Sequence, residues 1–148
     1  MATGPDARVT PPPPIERVLE TCVYAADLDA AVAFYRDVLG LTLFSREEGR
    51  HAFFRCGRQM LLVFNPDATS AHDRPHDRTP VPRHGAHGAG HVAFAVDEDA
   101  LAAWKRALEE RGVAIEFETA WPRGGRSLYV RDPAGNSVEL AVPAMWGL

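Results

Sequence analysis

Two stretches, ETCVYAADLDAAVAFYRDVLG (Glu20–Gly40) and HVAFAVDEDALAAWKRALEERG (His91–Gly112), decide how this chain folds. Each opens on alternating strand formers, meets an aspartate (Asp27, Asp97), continues as an amphipathic run and stops at a glycine. Alternation has the period of a half-buried strand, whereas Leu28, Ala31, Phe34, Tyr35 and Val38, or Leu101, Trp104 and Leu108, form a helical stripe. The aspartates suit N-caps, and Gly40 and Gly112 suit left-handed stops. The first strand is expected within Arg17–Ala25 and its helix over Leu28–Leu39. The second pair is expected at His91–Val96 and Glu98–Arg111. Setting Glu20 against His91 aligns Thr21 with Val92, Val23 with Phe94 and Ala25 with Val96.

Three strand-like runs follow each helix. They are Leu41–Ser45, His51–Arg55 and Gln59–Phe64 in the first half, and Val113–Phe117, Ser127–Val130 and Ser137–Val142 in the second. Both halves therefore read β-α-β-β-β, an internal repeat. The fold class is α+β, with tandem modules at 15–64 and 91–143 forming a curled mixed sheet around a cavity. One such unit covers a single sheet face and leaves an edge open, so two units are expected to pair. Residues 1–14 read as a Pro-rich tail, 65–90 as a long polar linker or lid, and 144–148 as a C-terminal tail.

Composition narrows the function. The 148 residues carry 16 Lys+Arg against 20 Asp+Glu, a net charge of −4, which argues against a dedicated nucleic-acid surface. No apolar run approaches the ~20 residues that span a bilayer. Two cysteines, Cys22 and Cys56, make no disulfide framework, and the opening residues show no charged-then-apolar leader. A cytoplasmic domain acting on a small molecule is the expectation, with neither nucleic acid nor membrane as partner.

Strand alternation then selects candidate site residues. Thr21 and Val23, like Val92, Phe94 and Val96, belong under the helices; Glu20, Cys22 and Tyr24, like His91, Ala93 and Ala95, face the other way. In the last strand Val138, Leu140 and Val142 are the helix-facing set, which leaves Glu139 on the cavity face. A carboxylate there needs a cation, hydrogen bonds or water, because burying it alone is costly. Aligning Gly57 with Gly135 makes Leu61 its counterpart in the first half. Glu20, His91 and Glu139 thus occupy three of four repeat-related positions. One imidazole and two carboxylates suit a divalent first-row ion: Fe2+ is favoured, with Mn2+, Ni2+, Co2+ or Zn2+ also compatible. Open coordination positions would accept a bidentate substrate.

AADLDAAVAFYRDVLGL (Ala25–Leu41), HVAFAVD (His91–Asp97) and YVRDPAGNSVELAVP (Tyr129–Pro143) together resemble the vicinal oxygen chelate superfamily, the glyoxalase, bleomycin-resistance and extradiol-dioxygenase group. The resemblance covers roughly Ile15–Pro143 and implies metal ligands from the first and last strands of each module, which match Glu20, Leu61, His91 and Glu139. It implies a homodimer, with modules paired within one chain or exchanged between two. Leu61 departs from the four-ligand pattern of glyoxalases and epimerases. Glu20 departs from the two-His, one-Glu set of extradiol dioxygenases and fosfomycin-type thiol transferases. Dioxygenase-type chemistry leads, followed by lyase or isomerase chemistry and then thiol transfer. The alternatives are a metal-free, drug-binding resistance protein and an interaction module using the Pro-rich tail.

Around the ligands, His51, Arg126, Tyr129 and Trp121 are candidates for lining the cavity. His51 could act as general base or acid, and Arg126 could hold a substrate carboxylate or phosphate. Cys22 reads as a small buried thiol rather than a nucleophile. Histidines 72, 76, 84 and 87 lack ligand spacing, and a mobile cover is one use for the segment that carries them.

Overall fold

A computed structural model describes residues 10–71 and 81–148. Their element order is β1 (Glu20–Tyr24), α1 (Leu28–Val32), β2 (Thr42–Glu47), β3 (His51–Cys56), β4 (Gln59–Phe64), α2 (Pro66–Ser70), β5 (His91–Ala95), α3 (Leu101–Glu110), β6 (Phe117–Ala120), β7 (Arg126–Arg131) and β8 (Ser137–Ala141). A π-helical stretch, Ala33–Val38, extends α1, a 3₁₀ turn at Glu98–Ala100 leads into α3, and another closes the chain at Pro143–Trp146. The strands form two four-stranded sheets, ordered β1-β4-β3-β2 and β5-β8-β7-β6. In each the first strand runs parallel to the fourth, and the other pairs are antiparallel. The expected repeat is therefore present, strand for strand. The two sheets remain separate rather than closing on each other.

Local chemistry explains most boundaries. The Asp27 carboxylate accepts from the Ala30 N–H at 2.9 Å and starts α1, as its position predicts. Asp97 makes no such cap, and the chain enters α3 through the 3₁₀ turn instead. Inside the long polar segment, Asn65 accepts from the Asp67 N–H, and Pro66 occupies the first turn of the short helix α2. The strand expected at Val113–Phe117 begins only at Phe117. Val113 and Ile115 are apolar because they pack on the core, not because they pair in the ladder.

A single apolar cluster lies on the helix side of both sheets. It joins Val23, Leu28, Phe34, Tyr35, Phe54, Leu61 and Val63 of the first module to Val92, Leu101, Leu108, Val130, Val138 and Leu140 of the second. A buried polar knot at 132–136 fastens the halves together. Asp132 accepts from the Tyr35 hydroxyl at 2.7 Å and from the Ala134 and Asn136 N–H groups. The Asn136 amide donates to the Tyr24 carbonyl at 3.0 Å and to Asp132, and its oxygen accepts from the Gly90 N–H. Buried polar groups must be paired, and here the pairing crosses from one module to the other. The two modules of one chain thus share a core on their helix sides and also touch along their first strands, β1 and β5, leaving the opposite sheet faces open.

Candidate metal centre

The open face of the second module brings two of the candidate ligands together. His91 on β5 and Glu139 on β8 come together, with Nε2 of the imidazole 3.3 Å from Oε2 of the carboxylate. The His91 side chain is 52% exposed and that of Glu139 only 5%, so the pair runs from the surface into the sheet. Parallel pairing sets this up: Ala93 lies beside Glu139 and His91 beside Ser137, whose carbonyl is 3.1 Å from His91 Nδ1. A carbonyl only accepts, so Nδ1 is the donor there, and Nε2 is the nitrogen left to face the carboxylate, as a lone-pair ligand or as a second N–H donor.

The other carboxylate oxygen is held from behind. The Ser127 hydroxyl donates to Glu139 Oε1 at 2.5 Å, and the Trp121 indole N–H donates to Ser127 Oγ at 2.8 Å. Tyr129, opposite Glu139 in the antiparallel ladder, stands beside it on the same face and stacks near His91 with ring centroids 6.4 Å apart. Burial first, and then the neighbouring Glu139 carboxylate, push the Tyr129 phenol up to about 12, so it keeps its proton.

These residues fit a divalent cation. Nε2 and Oε2 face each other at 3.3 Å, close to the gap spanned by two ligands each about 2.1 Å from one ion. Without a cation or a proton between them the lone pairs would repel. Glu20 does not join them within one chain: no group of three or more His, Cys, Asp or Glu able to hold an ion occurs among the described residues. It is exposed on β1 and lines, with His91, a cleft of about 680 Å³.

The first module presents a different face. Glu20 pairs with Met60 and Cys22 with Leu62, while Phe53 lies opposite Leu62. The repeat counterpart of Glu139 is therefore Leu62, because Cys22 and Ala93 hold matching places on the first strands. Leu61 is in the core on the helix side. Anchoring on Gly57 and Gly135 misplaces it by one residue, since Cys56–Gln59 is a tight connection whereas five residues separate Arg131 from Ser137. The residue repeat-related to Glu139 is a leucine under either alignment. Around Leu62 the face is aromatic: His51 stacks on Phe53 at 3.9 Å, and Phe64 meets His84 edge-on at 4.7 Å. His84, from the segment joining the modules, also shares a 2.8 Å hydrogen bond with the Tyr24 hydroxyl. Burial and Cys22 raise the Tyr24 pKa.

The remaining candidates divide clearly. His51 stands on the first module's open face, 3.8 Å from Glu47, and is not part of the His91–Glu139 pair. Arg126 precedes Ser127 on β7 and so points away from the open face, donating to Glu98 at 2.8 Å. Cys22 is exposed rather than buried. His87 pairs with Asp67 at 2.9 Å, and His72 and His76 lie outside the described residues. Ser127 was not anticipated. Its place two residues before Tyr129 on a strand is the signal that would have found it.

The chain belongs to the Glyoxalase/Bleomycin resistance protein/Dioxygenase superfamily, whose model matches residues 17–140. Among solved structures it is similar to lactoylglutathione lyase from Agrobacterium tumefaciens, at 46% identity and TM-score 0.86, covering 92% of this chain and 100% of that one. Among curated proteins it is 27% identical to the metallothiol transferase FosB of Staphylococcus epidermidis, over 85% of this chain and 81% of the relative. It is 29% identical to the glutathione transferase FosA of Serratia marcescens, over 81% of this chain and 76% of the relative. No helix among the described residues is long and apolar enough to cross a membrane.

Proposed function

We propose that the protein is a divalent-metal-dependent enzyme that chelates neighbouring oxygens of a small substrate, with His91 and Glu139 of one chain and Glu20 of a second chain as ligands. One observation carries the reading: Nε2 and Oε2 face each other at 3.3 Å at the mouth of an open sheet face. Geometry supports the second copy. Glu20, Cys22, His91, Ala93 and Ala95 are all exposed on first strands, and the helix sides are already used to join the modules. A homodimer that pairs the first module of one chain with the second of the other would cover both faces and supply the third ligand.

When bound, the ion supplies Lewis acidity that stabilises negative charge developing on a substrate oxygen. The chain's own residues set the stage for that charge. Ser127 holds Glu139 in place, and Tyr129 keeps a phenolic proton beside it. The aromatic face of Phe53, Phe64 and His51 would lie across the cavity, excluding water from the apolar part of a substrate. The similar proteins are named for lactoylglutathione, glutathione and thiol chemistry, so a thiol-linked substrate ranks ahead of the dioxygenase reading that Fe2+ suggests. A metal-free binder remains the second reading, because a protonated His91 would donate to Glu139 and close the same gap.

Metal content decides between them. Wild type is expected to bind about one ion per chain, and His91→Ala and Glu139→Ala to lose it. Equal, negligible uptake of every first-row divalent ion by wild type and both variants would favour the metal-free binder. Turnover of lactoylglutathione or consumption of free thiols would support the thiol-linked reading. Dioxygen uptake with catechols would restore the dioxygenase one.

A further inference from the structure

We propose that Trp121 and Ser127 form a positioning relay that fixes Glu139 as a one-oxygen ligand and makes the Trp121 indole a reporter of ion binding. The inference rests on the metal reading above. It adds residues that the ligand set alone does not include.

The relay has a definite direction. The Trp121 N–H donates to Ser127 Oγ, and Ser127 spends its single proton on Glu139 Oε1. Oε1 is thereby engaged, and the remaining oxygen, Oε2, is the one turned to His91 Nε2. A carboxylate free to rotate could offer both oxygens to an ion. This one is held at its back edge and offers one. Glu139 and Ser127 are 4% and 1% exposed, so water does not compete for the link.

The fold is built to bring Trp121 there. It sits at the start of the β6–β7 connection, where its N–H donates to the Gly125 carbonyl and its own carbonyl accepts from the Gly124 N–H. Gly125 has φ +80°, and a Cβ there would stand 3.1 Å from the Val142 carbonyl oxygen and the Met145 amide nitrogen. The turn is thus pressed against the end of β8 and the turn after it, which orients Trp121 over the sheet rather than outward. The first module supplies a comparison within the same molecule. The counterpart of Ser127 is His51, opposite Phe64 as Ser127 is opposite Ala141, and the carboxylate is replaced by Leu62. In the first module the counterpart position instead stacks His51 on Phe53, beside Leu62 rather than a carboxylate.

The test uses the full-length protein and Co2+ or Zn2+, with affinity read by calorimetry and indole emission read in parallel. Ser127→Ala should weaken ion binding by about 10- to 100-fold, the range usual for loss of a partner behind a metal ligand, and Ser127→Thr should restore it. Wild type should show an ion-dependent emission change, and Trp121→Phe should weaken binding by a smaller factor and lose that change, with Trp104 and Trp146 still present. A merely structural role for Ser127 would lower the melting temperature and leave the affinity unchanged, and Thr would not rescue. If wild type binds the ion and both Ser127→Ala and Trp121→Phe bind it equally well, the relay is wrong and the metal reading stands. If wild type and Glu139→Ala both fail to bind any ion, the metal reading falls and the relay with it. Should Ser127→Ala not fold, Trp121→Phe decides by the same two readouts.

Discussion

At the scale of the residue, the site turns on one buried carboxylate and one half-exposed imidazole. Glu139→Gln keeps the volume and the Ser127 bond but removes the charge, so ion affinity should fall by at least about 100-fold while the fold persists. Isothermal calorimetry beside circular dichroism checks both parts, and unchanged affinity would contradict the role of Glu139. Arg126→Ala makes the opposing case. Arg126 is ion-paired to Glu98 on the helix side, so its removal should change ion affinity by less than about 3-fold and stability by less than about 1 kcal/mol. Glu139 and His91 were legible in the sequence because alternation assigns faces without further information. Ser127 was less so, since a serine in a strand has no chemistry until its neighbours are known. The fourth position was misplaced by one residue because glycines in turns of different length are not equivalent landmarks.

At the scale of the element, the turn at 132–136 matters most. The DPAGN segment stands in the sequence as part of the stretch that carries the family resemblance, and its aspartate and asparagine join the modules. Asn136→Ala should cost about 2–4 kcal/mol, because it strands the Tyr24 carbonyl, the Gly90 N–H and part of Asp132 in a buried place. Chemical denaturation would measure it, and a loss under about 0.5 kcal/mol would mean the knot is not a fastening. Tyr35 gives the pH dependence. Burial first, then the charge and hydrogen bond of Asp132, raise its pKa above that of a free phenol. A raised folded-state value means stability that is fully present below the unfolded pKa near 10 and is lost as pH climbs toward the folded value. Stability should therefore fall above about pH 10 in wild type, and the fall should be shallower in Tyr35→Phe. Parallel slopes in alkaline denaturation would contradict this. The sequence could not disclose the knot, because pairing across 97 positions leaves no local pattern.

At the scale of the whole molecule, the repeat explains why the chain folds and why each module leaves one sheet face open. Each module covers one sheet face with its helix, and the two covered sides merge into one core. One open face is polar with His91 and Glu139, the other aromatic with Glu20 at its edge, and Glu20 and His91 line a common cleft. That division was legible as a β-α-β-β-β duplication, but which faces would meet was not, since hydrophobic periodicity marks buried sides without naming what covers them. The most direct measurement is complementation between two defective chains. Glu20→Ala and Glu139→Ala should each bind no ion, yet a mixture allowed to exchange subunits should recover about a quarter of the wild-type ion content, because half the dimers are mixed and each mixed dimer holds one intact site. Recovery at that level is the predicted result; a mixture that binds no more than its separate components would contradict a metal centre shared between two chains.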